Sequence, residues 1–207
     1  MIAVLALLCA TDSPDLAAKQ RAKDVAGVLA PGHRVISQLN ADVSSEAGVE
    51  RVVLVGAVGE AGHVAAVGLL VVAPVKDGVS VVAAGLLDTN DAYAVTLAQA
   101  NLDLDGDGVV EIAVEATAGE GARGIAETTW YRLESADHEP AGRPSSRKVS
   151  ALYTLVRRRT VMGQTETRRL VRVGGRLREE VERKGAPPRS LDVLATPTGF
   201  RVVDWHE

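Results

Sequence analysis

Residues 101–115 read NLDLDGDGVVEIAVE. Counted from Asp103, aspartates stand at positions 1, 3 and 5, glycines at 4 and 6, and Glu111 at 9. Four carboxylates this close repel one another unless a cation sits among them. Calcium takes about six to eight oxygens at roughly 2.3–2.6 Å, from carboxylates, backbone carbonyls and water. Side chains of Asp103, Asp105 and Asp107 converge if the backbone curls, and Gly106 and Gly108 permit the positive φ that a curl requires. The carbonyl of Val109, at position 7, can add an oxygen. The plainer alternative is a solvated Asp/Gly turn. The loop is not an EF-hand. That loop carries a bidentate acid at position 12, where this chain has Val114, and it leads into a helix. Here Val110, Ile112 and Val114 alternate with Glu111, Ala113 and Glu115, the pattern of a strand.

The loop has an echo. Shifted by 61 residues and without a gap, residues 36–50 (ISQLNADVSSEAGVE) lie over residues 97–111 (LAQANLDLDGDGVVE). Gln38, Asn40, Asp42, Val49 and Glu50 match Gln99, Asn101, Asp103, Val110 and Glu111. Each copy reads strand, acidic loop, strand. At the ligand positions the first copy departs: Asp42, Ser44 and Glu46 stand for the three aspartates, and Ser45 and Ala47 for the two glycines. It is expected to have lost its metal chemistry.

This arrangement resembles the calcium loops of integrin-type FG-GAP repeats and the related VCBS-like repeats of bacterial exported proteins. The resemblance covers about residues 35–133. It implies a loop between strands of a β-propeller blade, Ca2+ as the ion, and Asp103, Asp105, Asp107, Glu111 and the Val109 carbonyl as ligands. Two units cannot close a propeller, which needs at least about four blades. The expected fold is therefore mainly β, its antiparallel strands forming propeller-blade-like sheets that stack openly or a sandwich.

The elements around the loop follow from hydrophobic period. Ser13, Pro14 and Asp15 read as a helix start, and Ala18, Ala22, Val25 and Leu29 share a face at helical spacing. One N-terminal α-helix is expected over residues 14–29. Beyond Pro31 the period becomes two, with strands expected near residues 33–39, 50–58, 63–74, 79–87, 92–100, 109–116 and 128–134. Residues 135–148 form a polar, Pro/Gly-rich loop or linker. Residues 149–161 and 165–173 read as a hairpin, followed by a Gly174-Gly175 turn. RLREEVERK (176–184) fits helix by propensity and strand by the alternation of Leu177 and Val181. The organisation is then an N-terminal segment 1–10, a helical segment 11–32, a two-unit β repeat over 33–134, the linker 135–148 and a basic β region over 149–207.

Residues 1–10, MIAVLALLCA, are too short for a membrane span and suit the apolar region of a secretory or lipoprotein signal. A periplasmic, extracellular or lipid-anchored location is expected. The alternative is a cytoplasmic protein whose first residues are core. Cys9 is the only cysteine, so no intramolecular disulfide forms.

Net charge is −4, yet residues 141–191 hold fourteen Lys/Arg against four Glu. The Arg157–Arg172 hairpin is the candidate surface for an anionic glycan, a lipid headgroup or an acidic protein. The alternative there is a solvated strand face. Nucleic acid is not expected, because stacking aromatics are nearly absent. The glycines of VLVGAVGEAG fall three apart and do not make a dinucleotide loop. No G-x-S-x-G elbow occurs, and the four histidines lack ligand spacing. The function expected is a non-enzymatic binding or envelope-associated module. The alternative is a hydrolase whose site is assembled from scattered residues.

Overall fold

The computed structural model describes residues 21–29, 32–44, 48–58, 64–87, 94–98, 102–118, 124–134, 147–161 and 164–203. The N-terminal segment 1–10 and most of the linker 135–148 lie outside them. The described residues form thirteen strands: β1 (Arg21–Ala22), β2 (Arg34–Ala41), β3 (Glu50–Val58), β4 (Val64–Val75), β5 (Gly78–Leu86), β6 (Ala94–Leu97), β7 (Ile112–Ala118), β8 (Ile125–Leu133), β9 (Arg147–Val161), β10 (Gln164–Val173), β11 (Arg176–Arg183), β12 (Arg189–Thr196) and β13 (Gly199–Val203). Among these residues the only helical element is a 3-10 turn at Val25–Val28. No described helix is long and apolar enough to cross a membrane.

Neighbouring strands pair antiparallel in three runs, β2 to β5, β6 to β9 and β10 to β13. Strand β9 links all three. It pairs with β8 over most of its length, with β10 at its end, and in parallel with β5 through Arg147 and Lys148.

The sequence explains why the runs stack. Strand β3 contains RVVLV, with Val52 and Leu54 buried on one face and Val53 and Val55 on the other. A strand so covered reads as a continuous apolar run and not as an alternation. Its first face joins Leu69, Val71 and Ala83 against Ile112, Val114 and Tyr131 of the second run. The second run is apolar on its other side too, where Ala113, Trp130, Tyr153 and Leu155 meet Leu177 and Val193 of the third. The Trp130 and Tyr153 rings stack there at 6.1 Å. Each fully buried Val or Leu adds roughly 1.5–3 kcal/mol of burial free energy. The result is one connected sheet whose three runs pack on one another, with the second covered on both faces.

The N-terminal α-helix is a correction. Residues 14–20 lie outside the described set, and residues 21–29 do not form an α-helix. Arg21 and Ala22 pair with Ser80 and Val79 of β5. Asp24 then caps the 3-10 turn by accepting from the Gly27 amide at 3.1 Å. Val25 and Val28, three residues apart, reach the outer face of the first sheet beside Val53, Val55, Leu70 and Val72. The spacing of Ala22, Val25 and Leu29 serves sheet coverage, and ladder bonds to β5 outweigh local helix propensity. RLREEVERK resolves as strand β11, alternating between buried and outward positions from Leu177 to Val181.

Candidate metal centre

The acidic loop joins β6 to β7, and its two ends are tied to the fold. The Glu111 amide donates to the Leu102 carbonyl at 3.3 Å, and the Leu104 side chain is buried with Ala113, Trp130, Leu177 and Val193. Between these anchors the chain turns back on itself. Asp103 accepts from the amides of Gly106 at 2.6 Å and Gly108 at 3.0 Å. Those glycines have φ of 82° and 89°, a region that a side chain strains. Asp105 accepts from the Asp107 amide at 3.2 Å, and Asp107 accepts from the Val109 amide at 2.8 Å.

The curl brings together Asp103, Asp105 and Glu111, whose nearest carboxylate oxygens all lie within 4.8 Å of one another. This triad could hold a metal ion. Glu111 is only 3% exposed, and its carboxylate accepts from the Leu104 amide at 2.6 Å. Burial pushes its pKa up to about 7; the Leu104 amide opposes the rise, and Asp105 and Asp103 add to it. Asp107, the other carboxylate of the expected set, is exposed and sits outside the triad with its side chain on the Val109 amide. A guanidinium also approaches: Arg132 lies 3.6 Å from Asp105, with both side chains partly exposed, so the pair adds little.

The first copy builds the same corner with different chemistry. Glu50 is buried and accepts from the Val43 amide at 3.2 Å, as Glu111 accepts from Leu104. Val43 and Leu104 both point into core. Each of these residues stands 61 positions from its counterpart, and each glutamate reaches back seven residues. Ser44 occupies the place of Asp105, and its hydroxyl donates to Glu50. A hydrogen bond from a hydroxyl thus joins positions 3 and 9 where the second copy sets carboxylate against carboxylate. Glu50→Ala leaves the buried Val43 amide and Ser44 hydroxyl without this acceptor. It is expected to cost about 1–3 kcal/mol. Denaturant midpoints should show the same loss in calcium and in chelator.

Sequence reasoning missed how the arginines are used. Arg172 donates to backbone carbonyls of the acidic loop, at 2.6 Å to Asp103 and 3.1 Å to Leu104. Arg157 pairs with Glu115 at 3.1 Å, and Arg169 with Glu180 at 2.5 Å. Arg159, Arg168 and Arg183 all bind Glu166, at 2.9, 2.9 and 2.6 Å. Arg168 also reaches Glu179 at 2.8 Å, and Glu179 accepts from the Tyr153 hydroxyl. Much of the positive charge on the Arg157–Arg172 hairpin is therefore balanced inside the chain. The signal was available in part: Glu166 stands directly across from Arg159 on β9 and Arg183 on β11.

Glu166 is 2% exposed. Burial alone would raise its pKa, but the hydrogen bonds from Arg183, Arg168 and Arg159 outweigh that and hold it at about 2. Its folded pKa is thus below the ordinary value of 4.5. The stability it contributes is complete above 4.5 and is lost as pH falls through about 2. Acid titration of the unfolding free energy should show this loss, and Glu166→Gln should flatten it.

Comparison with known protein families and with curated proteins finds no match. The class rests on the fold and the site: a mainly β chain with a largely antiparallel sheet and, among the described residues, one acidic corner that could hold a metal ion.

Proposed function

We propose that this chain is a non-enzymatic, exported, β-rich binding or envelope-associated module, and that residues 103–111 hold one structural Ca2+. The observation that carries the reading is the contrast between the two corners. Ser44 closes on Glu50 by a hydrogen bond, whereas Asp105 and Asp103 bring two further carboxylates to the buried Glu111. A divalent cation supplies the attraction that the second corner lacks. Asp103, Asp105 and Glu111 give it carboxylate oxygens. Asp107 joins by turning from the Val109 amide, and the Val109 carbonyl and water complete an oxygen shell of the kind calcium takes. A hard, oxygen-only donor set favours calcium over the softer transition metals.

The ion's role is to fix the β6–β7 connection. Extracellular calcium modules bind at about 10⁻⁴–10⁻³ M, so millimolar calcium adds roughly 0.4–1.4 kcal/mol. Such a site fills outside the cytosol, in keeping with the apolar N-terminal run MIAVLALLCA read as an export signal. Isothermal titration of chelator-stripped protein tests the proposal. One Ca2+ per chain with weaker Mg2+ binding supports it, and absence of heat with either ion removes it. Mass spectrometry of the mature N-terminus tests export separately: retention of residues 1–10 without a lipid adduct contradicts it.

A further inference from the structure

We propose that Arg172 is a positioning residue for the metal loop, and that through it ion binding is coupled to the seating of the third sheet. This inference rests on the metal reading of residues 103–111. Arg172 lies on β10, in the third sheet, 69 residues from Asp103. One of its terminal nitrogens donates to the carbonyls of Asp103 and Leu104, and the other to the Gly175 carbonyl at 3.0 Å. A single planar guanidinium thereby joins the β10–β11 turn to the first two residues of the loop. A planar fork of donors suits this task in a way that an ammonium does not.

The placement selects carbonyls and leaves carboxylates for the ion. Asp103 and Asp105 still face Glu111 while Arg172 holds the backbone behind them. Leu104 is fixed from two further directions. Its amide donates to Glu111, and its side chain packs on Leu177 and Val193 of the third sheet. The start of the loop is thus held between a metal-facing carboxylate and the third sheet. Asp105 and Arg172 also line one open groove of about 560 Å³ between loop and sheet.

Two effects of Arg172 oppose each other. Its positive charge disfavours a cation nearby, but the group is exposed and screened. Its hydrogen bonds restrict the loop before the ion arrives, so the ion has less freedom to remove. The second effect is expected to win. Coupling is reciprocal, so a docked third sheet that favours the ion is favoured by it to the same factor.

The test uses the full chain and Ca2+ itself. Calorimetry compares wild type, Arg172→Met and Arg172→Lys, while hydrogen exchange follows residues 169–178 with and without Ca2+. Arg172→Met is expected to weaken Ca2+ binding by about tenfold, within the usual range for coupled sites. Arg172→Lys should weaken it nearly as much, although it keeps the charge. In wild type, Ca2+ should slow exchange across β10 and β11; in the variants it should not. Tighter or unchanged binding by Arg172→Met overturns the inference, as does exchange indifferent to Ca2+ in wild type that binds the ion. Should Arg172→Met not fold, Arg172→Lys and the wild-type exchange decide in the same way. Wild type that takes up no Ca2+ defeats the metal reading itself, and this inference falls with it.

Discussion

Asp105→Ala is expected to abolish the rise in unfolding midpoint that millimolar calcium gives the wild-type chain. That rise should be about 1–5 °C, from the mass-action stabilisation of a weak site and the thermal sensitivity of a chain this long. The sign in chelator is the informative part. Asp105 belongs to the triad with the buried Glu111 and helps to push its pKa up. Without an ion, removing Asp105 relieves repulsion. The variant should then melt at or above wild type in chelator and below it in calcium. Its link to Arg132, at 3.6 Å and partly exposed, is too weak to reverse that order. Loss of stability by the same amount in both buffers would mean that Asp105 serves only the turn.

Glu166→Gln should have a larger effect, independent of calcium. The substitution keeps the shape and removes the charge that three guanidiniums share. Breaking a buried ion pair from one side costs about 3–5 kcal/mol. Arg159 and Arg183 are partly exposed and can turn to water, and Arg168 keeps Glu179. About 3 kcal/mol is therefore expected at pH 7, a fall of roughly 6–12 °C in midpoint. The lowered pKa of Glu166 points to the same magnitude. Thermal melts at pH 7 and near pH 2 separate the cases. The variant should lie well below wild type at the first and close to it at the second. An equal gap at both would show that the carboxylate's charge is not what matters.

The strands were readable because burial on a sheet leaves a period of two, and double burial leaves a run such as RVVLV. The acidic loop was readable because its glycines and aspartates report a local curl, and local geometry is what short spacing encodes. The corner at Glu50 was harder to see. Its resemblance to the corner at Glu111 shows in the letters, but the replacement of a carboxylate by the Ser44 hydroxyl gains meaning only once both residues face one glutamate. Residues 21–29 misled because Ala22, Val25 and Leu29 fit a helix locally, while partners for Arg21 and Ala22 lie nearly sixty residues away in β5. The Glu166 cluster depends on register. Only after two hairpin turns fix the pairing do Arg159 and Arg183 stand on either side of it. Arg172 shows the same limit at longer range, since its partners are carbonyls, which no side-chain pattern announces.

X-ray diffraction from crystals grown with calcium, and with terbium as an anomalous stand-in, bears most directly on the metal centre. The expected result is one strong peak bounded by Asp103, Asp105 and Glu111, with oxygens at about 2.3–2.6 Å for calcium and the Val109 carbonyl among them. No peak at that corner, or a peak only at an unrelated surface, would contradict it.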